Sequence, residues 1–120
     1  MRFRTVMAAA ALAIGLAAPA IAWHNHLTKS VPEADQQLDE SPKEVRLWFS
    51  EKVDPKFSSV TLTKSDSTKV AVSKVQPTDD AKSILVTVTE PLASGKYLVR
   101  WRTAGDDGHA VRGTFSFTVK

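Results

Sequence analysis

GKYLVRW, at residues 95–101, has a clear strand pattern, because it places Tyr97, Val99 and Trp101 on one face of an extended chain. A second stretch, GTFSFTV at residues 113–119, repeats the pattern with two phenylalanines and a valine. A spacing of two is typical of a β-strand with one buried face. We therefore predict that the two stretches are neighbouring central strands, joined by the loop between them.

Short alternating apolar runs separated by turn residues continue through the rest of the chain from residue 23, with no long run of helical spacing. Including the two central strands, we predict seven strands, at residues 27–31, 43–50, 57–64, 69–75, 83–89, 95–101 and 113–119. The proline-containing segments 33–42 and 76–81 are predicted to be surface connections. Seven strands in about 100 residues favour an all-β fold, a Greek-key β-sandwich of immunoglobulin-like size.

Residues 1–22 have the pattern of a secretory signal peptide that is removed on export. Arg2 and Arg4 precede an apolar run at 6–18, and the sequence Ala20-Ile21-Ala22 resembles a cleavage site. The run is shorter than the roughly 20 residues that cross a bilayer, so we expect no stable membrane insertion after cleavage. Residues 23–120 are then one domain.

The charge of this domain gives no motive for nucleic-acid binding. The whole chain has a formal net charge of +3, and the loss of the two leader arginines lowers it to +1. Nucleic-acid-binding domains usually have a strongly basic surface. We therefore expect no nucleic-acid partner.

The ligand types that the domain offers restrict the metal ions it could bind. The sequence has no cysteine, and both of its methionines, Met1 and Met7, lie in the predicted signal peptide. Thiolate zinc sites and the His/Cys blue-copper arrangement are therefore excluded. Imidazole, carboxylate and backbone groups remain.

The loop between the central strands contains the triplet Asp107-Gly108-His109, while His24 and His26 lie near the other end of the chain. Loops of a sandwich gather at its two ends, so the two groups could meet around one ion. Imidazole and carboxylate together suit Cu(II) first and zinc second. The alternative is a turn capped by Asp107 with a solvent-exposed His109, beside an N-terminus that binds nothing.

A serine hydrolase is a further alternative, because Ser50 or Ser116 could approach His109. It is disfavoured, since no nucleophile elbow is present and a sandwich of this size has little room for a substrate cleft.

Six blocks occur in an order that resembles the CopC/PcoC/YobA family of periplasmic copper-binding proteins. They are His24-Asn25-His26-Leu27 followed by Pro32, Leu47-Trp48-Phe49-Ser50-Glu51, Pro55-Lys56-Phe57-Ser58, the stretch 95–102, Asp107-Gly108-His109 and the stretch 113–119. The resemblance spans essentially all of residues 23–120. It implies a cupredoxin-like or immunoglobulin-like β-sandwich that holds Cu(II) near its N-terminus.

The resemblance also implies the ligands. The family's N-terminal histidine, which binds through its amine and its ring, corresponds to His24, and the Asp-x-His motif corresponds to Asp107 and His109. Glu51 corresponds to a glutamate at or near the copper. His26 matches a position that is histidine in only some members, so it is expected to be an optional ligand or to lie just outside the ligand set. Family members with a Cu(I) site have a methionine-rich loop that this chain lacks, so we predict one Cu(II) ion.

Trp23 departs from the family pattern, in which a small residue directly precedes the first ligand histidine. Cleavage after Ala22 fits the small-residue rule and makes Trp23 the first residue. His24 could then bind only through its ring and its deprotonated amide, with the Trp23 amine as a further donor. Cleavage after Trp23 would restore the family's arrangement at His24.

Together these observations predict a periplasmic protein that sequesters or carries Cu(II) in copper homeostasis or resistance and catalyses no reaction. An inner-membrane copper transporter of the CopD type is the partner that the resemblance implies. Two other functions remain open on the sequence alone. One is a copper oxygenase with a His-brace site, and the other is an immunoglobulin-like interaction module without a metal.

Overall fold

The computed structural model describes residues 25–105 and 108–120. Nine β-strands lie in these ranges: β1 (Leu27–Val31), β2 (Gln37–Leu38), β3 (Glu44–Phe49), β4 (Ser59–Lys64), β5 (Lys69–Val70), β6 (Gln76–Pro77), β7 (Ser83–Thr87), β8 (Gly95–Ala104) and β9 (Ala110–Val119). A single 3-10 turn, Pro55–Phe57, precedes β4 in this part of the chain. None of the described segments is a helix long and apolar enough to cross a membrane.

The strands form two sheets. One has the order β1-β3-β7-β6 and the other the order β2-β9-β8-β4-β5. The longest pairing joins β8 to β9, from Gly95 opposite Val119 to Ala104 opposite Ala110. The prediction that these strands are adjacent and central is therefore confirmed, as is the all-β sandwich.

The core lies between the sheets and is built by the alternating residues of the predicted strands. Its members are apolar side chains of β3, β4, β7, β8 and β9 together with Val53 and Val88. Phe49 and Trp101 meet edge to face at 5.1 Å and so join the two sheets. Such an aromatic pair contributes about 0.5–1.5 kcal/mol beyond the area it buries.

Several boundaries differ from the prediction. The segments 33–42 and 76–81 each contain a two-residue strand, β2 and β6, which alternation over longer windows does not detect. The predicted strand 69–75 is paired only at Lys69–Val70 and then by one bridge from Val72 to Val88. Residue 57 is predicted to begin a strand, but it belongs to the 3-10 turn Pro55–Phe57. Asp54 caps the start of this turn by accepting a hydrogen bond from the Lys56 amide.

Strands β8 and β9 extend beyond their predicted ends, to Ala104 and back to Ala110. The apolar alternation fades there, but the ladder continues through Thr103, which is fully buried. The loop that contains the Asp107-Gly108-His109 triplet is consequently short, at residues 105–109.

Candidate metal centre

The N-terminal segment is fixed to the end of β3 by four hydrogen bonds. The amide of His26 donates to Ser50 Oγ at 3.1 Å, and the Ser50 amide donates back to the His26 carbonyl at 2.9 Å. The Ser50 hydroxyl and the Glu51 amide both donate to Asn25 Oδ1, at 3.1 and 2.9 Å. Asn25 and His26 therefore lie against Ser50 and Glu51.

The connection that starts at Ser50 runs from one sheet to the other. Val53 donates to the carbonyl of Ala81, which lies just before β7. The amide of Asp54 faces the carbonyl of Ala104, at the end of β8, at 3.5 Å. The segment 50–54 thus contacts the N-terminal segment at one end and the start of loop 105–109 at the other.

The hydroxyl groups of Ser58 and Thr103 hold the connection 50–54 against strand β8. The Ser58 hydroxyl donates to the Asp54 carbonyl at 2.7 Å and lies 2.6 Å from Thr103 Oγ1. Because Thr103 is completely buried in β8, its hydroxyl needs a partner, and Ser58 supplies one. These hydroxyl groups tie the Glu51 side of the molecule to the β8 strand that leads to His109.

Loop 105–109 is closed by a hydrogen bond from the Gly108 amide to the Gly105 carbonyl at 3.0 Å. Gly108 has a φ of +76°, a conformation that side-chain-bearing residues rarely adopt. Glycine at this position lets the chain turn and enter β9 at Ala110. His109 therefore stands between the turn and the strand, and its side chain is exposed.

The predicted ligands fall into two groups. His109, Glu51 and His26 are described, and each has an exposed side chain. Trp23, His24 and Asp107 lie outside the described residues. Within 25–105 and 108–120, no three His, Cys, Asp or Glu side chains are grouped closely enough to hold an ion. A site built from three such side chains would therefore need at least one ligand from outside the described residues.

Asn25 and Ser50 hold the N-terminal segment against β3, and sequence reasoning did not identify this pair. They are 25 residues apart, and only the pairing of β1 with β3 brings them together. Ser50 is one of the two candidate nucleophiles of the hydrolase alternative, but its hydroxyl is hydrogen-bonded to Asn25 and to the His26 amide. Ser116 lies seven residues along β9 from His109, roughly 23 Å away, and bonds to Asp35. The hydrolase alternative thus finds no support.

Comparison with known proteins identifies the family. Residues 27–120 match the model of the CopC domain. Copper resistance protein C of Escherichia coli is 39% identical over 116 residues, which cover 91% of this chain and 90% of that protein. Protein YobA of Escherichia coli strain K12 is 34% identical over 115 residues, with 94% and 92% covered.

Solved structures agree with this result. CopC from Methylosinus trichosporium OB3b superimposes with a TM-score of 0.75 at 32% identity, over 81% of this chain and 94% of that chain. PcoC, described as a methionine-rich copper resistance protein from Escherichia coli, has a TM-score of 0.74 at 39% identity, with 81% and 99% covered. The family resemblance seen in the six sequence blocks is confirmed, and the chain belongs to the CopC domain family.

Proposed function

We propose that this protein binds one Cu(II) ion and serves copper resistance or homeostasis as a copper carrier or store. The names of its relatives support the general function, since both copper resistance protein C and PcoC are named for copper resistance. The observation that carries the proposal for the site is the attachment of Asn25 and His26 to Ser50 and Glu51. This attachment brings the residue after His24 to the connection that ends beside loop 105–109.

The proposed ligands are His24, Asp107 and His109, with Glu51 close to the ion. His26 is proposed as an optional ligand, and the Trp23 amine joins the set if Trp23 is the first residue of the exported chain. The ring nitrogens and carboxylate oxygens of this set are the donors that Cu(II) prefers in tetragonal geometry. Copper here is the cargo of the protein.

The choice of Cu(II) over Cu(I) rests on the donors that residues 23–120 provide. Cu(I) favours thiolate and thioether sulfur. PcoC is described as methionine rich, whereas the two methionines of this chain are Met1 and Met7, both in the proposed leader. Sulfur ligands are therefore not available to the domain after export.

We further propose that residues 1–22 direct export, that the domain works in the periplasm, and that copper passes to or from an inner-membrane transporter of the CopD type. The protein is proposed to catalyse no reaction. Incubation with ascorbate, oxygen and a polysaccharide should release no oxidised oligosaccharides. Their appearance would establish the His-brace oxygenase function in its place.

Two measurements on the exported protein test the ligand set. Intact mass determines whether the chain begins at Trp23 or His24. Titration of Cu(II) against a coloured chelator then measures stoichiometry and affinity for the wild type and for the variants His24→Ala, Asp107→Asn and His109→Ala. We expect one ion per chain and a loss of at least tenfold in each variant. His26→Ala should give a smaller loss, because His26 is proposed only as an optional ligand. If none of the three single variants His24→Ala, Asp107→Asn and His109→Ala loses affinity for Cu(II), the proposed ligand set is refuted.

A further inference from the structure

Three arginines share the outward face of the five-stranded sheet, next to the loop that contains His109. Arg100 and Arg102 lie on β8, and Arg112 lies directly opposite Arg102 on β9. All three side chains are exposed. They line an open cleft of about 210 Å³ together with the hydroxyl residues Ser59, Thr61 and Thr114. These three arginines are called the arginine face below.

The arginine face makes no ion pair within the part of the chain that the structure describes. The ion pairs among the described residues join Arg46 to Asp79 and Lys120 to Asp39, and both lie elsewhere on the molecule. The outward positions of β4, β8 and β9 contain no acidic residue. Asp35 approaches β9 only at Ser116, four residues from Arg112 and so roughly 13 Å along the strand.

This arrangement works against the stability of the sheet. Like charges directly opposite each other on antiparallel strands destabilise the pairing, and Arg102 faces Arg112 in this way. Neither arginine gains a hydrogen bond or an ion pair among the described residues. Carboxylates of a partner would relieve this repulsion.

The geometry favours carboxylates as the counter-charge of the arginine face. Cross-strand neighbours and residues two apart along a strand are separated by about 5–7 Å, so the three guanidinium groups cover a patch wider than one small anion. A guanidinium donates two parallel hydrogen bonds to a carboxylate, and the neighbouring hydroxyls can donate more. The patch lies on a rigid β-sheet, which suits a preformed protein interface.

A lipid surface fits the arginine face less well. Three basic residues are fewer than the four to eight that typically bind anionic membranes. Interfacial anchoring also needs apolar side chains beside the charges. The large hydrophobic residues that are exposed among those described are Val31 and Phe57, and neither lies at an outward position of β8 or β9.

We infer that the arginine face is the docking surface for a carboxylate-rich patch on a partner protein. Arg102 and Arg112 are each three residues from loop 105–109, so a partner bound there would lie beside His109. That position would allow copper to pass between the two proteins, a role that rests on the proposed function. The docking itself does not require the metal.

The test uses metal-free protein in EDTA and a fluorescein-labelled peptide of consecutive glutamates, with binding followed by fluorescence anisotropy. The triple variant Arg100→Gln/Arg102→Gln/Arg112→Gln is compared with Lys43→Gln/Lys74→Gln/Lys82→Gln. The second variant removes the same number of charges from exposed positions outside the arginine face. We expect the arginine variant to lose at least tenfold in affinity and the lysine variant to lose less than twofold. Raising the salt concentration from about 20 to about 150 mM should weaken wild-type binding.

Three outcomes would overturn the inference. Equal losses in the two triple variants would show that only net charge matters. Wild-type affinity for phosphatidylglycerol vesicles above that for the peptide would identify a membrane surface instead. A thermal midpoint lowered by the single variant Arg112→Gln would show that the arginine pair serves stability. Because copper is absent, failure here leaves the copper-binding proposal intact, and failure of copper binding leaves this one testable.

Discussion

Removal of the Ser50 hydroxyl should weaken copper binding without disturbing the fold. In Ser50→Ala the hydrogen bonds from the His26 amide and to Asn25 Oδ1 are lost, while those from the Ser50 and Glu51 amides remain. Each lost bond contributes about 0.5–1.5 kcal/mol, and the lower part of this range applies because water can reach the exposed His26 amide. The total is about 1–2 kcal/mol.

This free energy should appear in the apparent affinity for Cu(II), because only the chain with its N-terminal segment attached presents a complete ligand set. A cost of 1–2 kcal/mol raises the dissociation constant by up to roughly 5- to 30-fold, the full factor being reached when the segment is mostly detached in the variant. Chelator competition measures it. Thr28→Ala is the matched control, since it removes a hydroxyl that donates to the Trp48 carbonyl at 3.2 Å on the same pair of strands. An unchanged affinity in Ser50→Ala, or an equal loss in Thr28→Ala, would contradict this prediction.

Three further predictions concern the sandwich and the exposed carboxylate. Tyr97→Phe removes the hydrogen bond from Tyr97 Oη to the Ala93 carbonyl, 2.7 Å long, and should lower the urea-unfolding free energy by about 1 kcal/mol; no change would contradict this. Gly113→Ala would drive a Cβ into the Trp101 ring and should cost about 1–3 kcal/mol, with a smaller extra cost when Trp101→Phe is already present. Strict additivity would exclude the contact. Glu51→Gln should reduce copper affinity in the chelator assay and leave the thermal midpoint unchanged, since the side chain is exposed; a lowered midpoint would indicate a structural role.

The central strands could be predicted from the sequence because their alternation is long and strict. Tyr97, Val99 and Trp101 are buried as the spacing of two requires. Trp48 breaks the polar face of β3 for a reason that only the structure reveals. Its ring lies beneath the cations of Lys29 and Arg46, 4.7 and 4.6 Å from the ring centroid, so it is half-buried by charged neighbours.

The family resemblance implies that His24 and Glu51 lie near one ion, but the hydrogen bonds that attach the N-terminal segment to Ser50 and Glu51 could not be predicted, because they depend on strand register and on no local pattern. Asn25 and Ser50 are polar residues in short segments, and nothing near either one in the sequence points to the other. Strands β2 and β6 cannot be predicted from the sequence for a similar reason. Two residues are too few to show the alternation of apolar and polar side chains, and their pairing with β9 and β7 is set by the surrounding fold. His109 could be proposed as a ligand from the sequence, because a glycine-containing turn between two strongly alternating strands is a local signal.

Electron paramagnetic resonance of the exported protein with one equivalent of Cu(II) tests the central claim most directly. We expect a tetragonal spectrum with nitrogen and oxygen ligands that differs from that of copper in buffer and changes when His109 is replaced by alanine. A spectrum identical to that of copper in buffer would contradict metal binding. A spectrum that is unchanged by His109→Ala would contradict the proposal that loop 105–109 and the N-terminal segment hold the same ion.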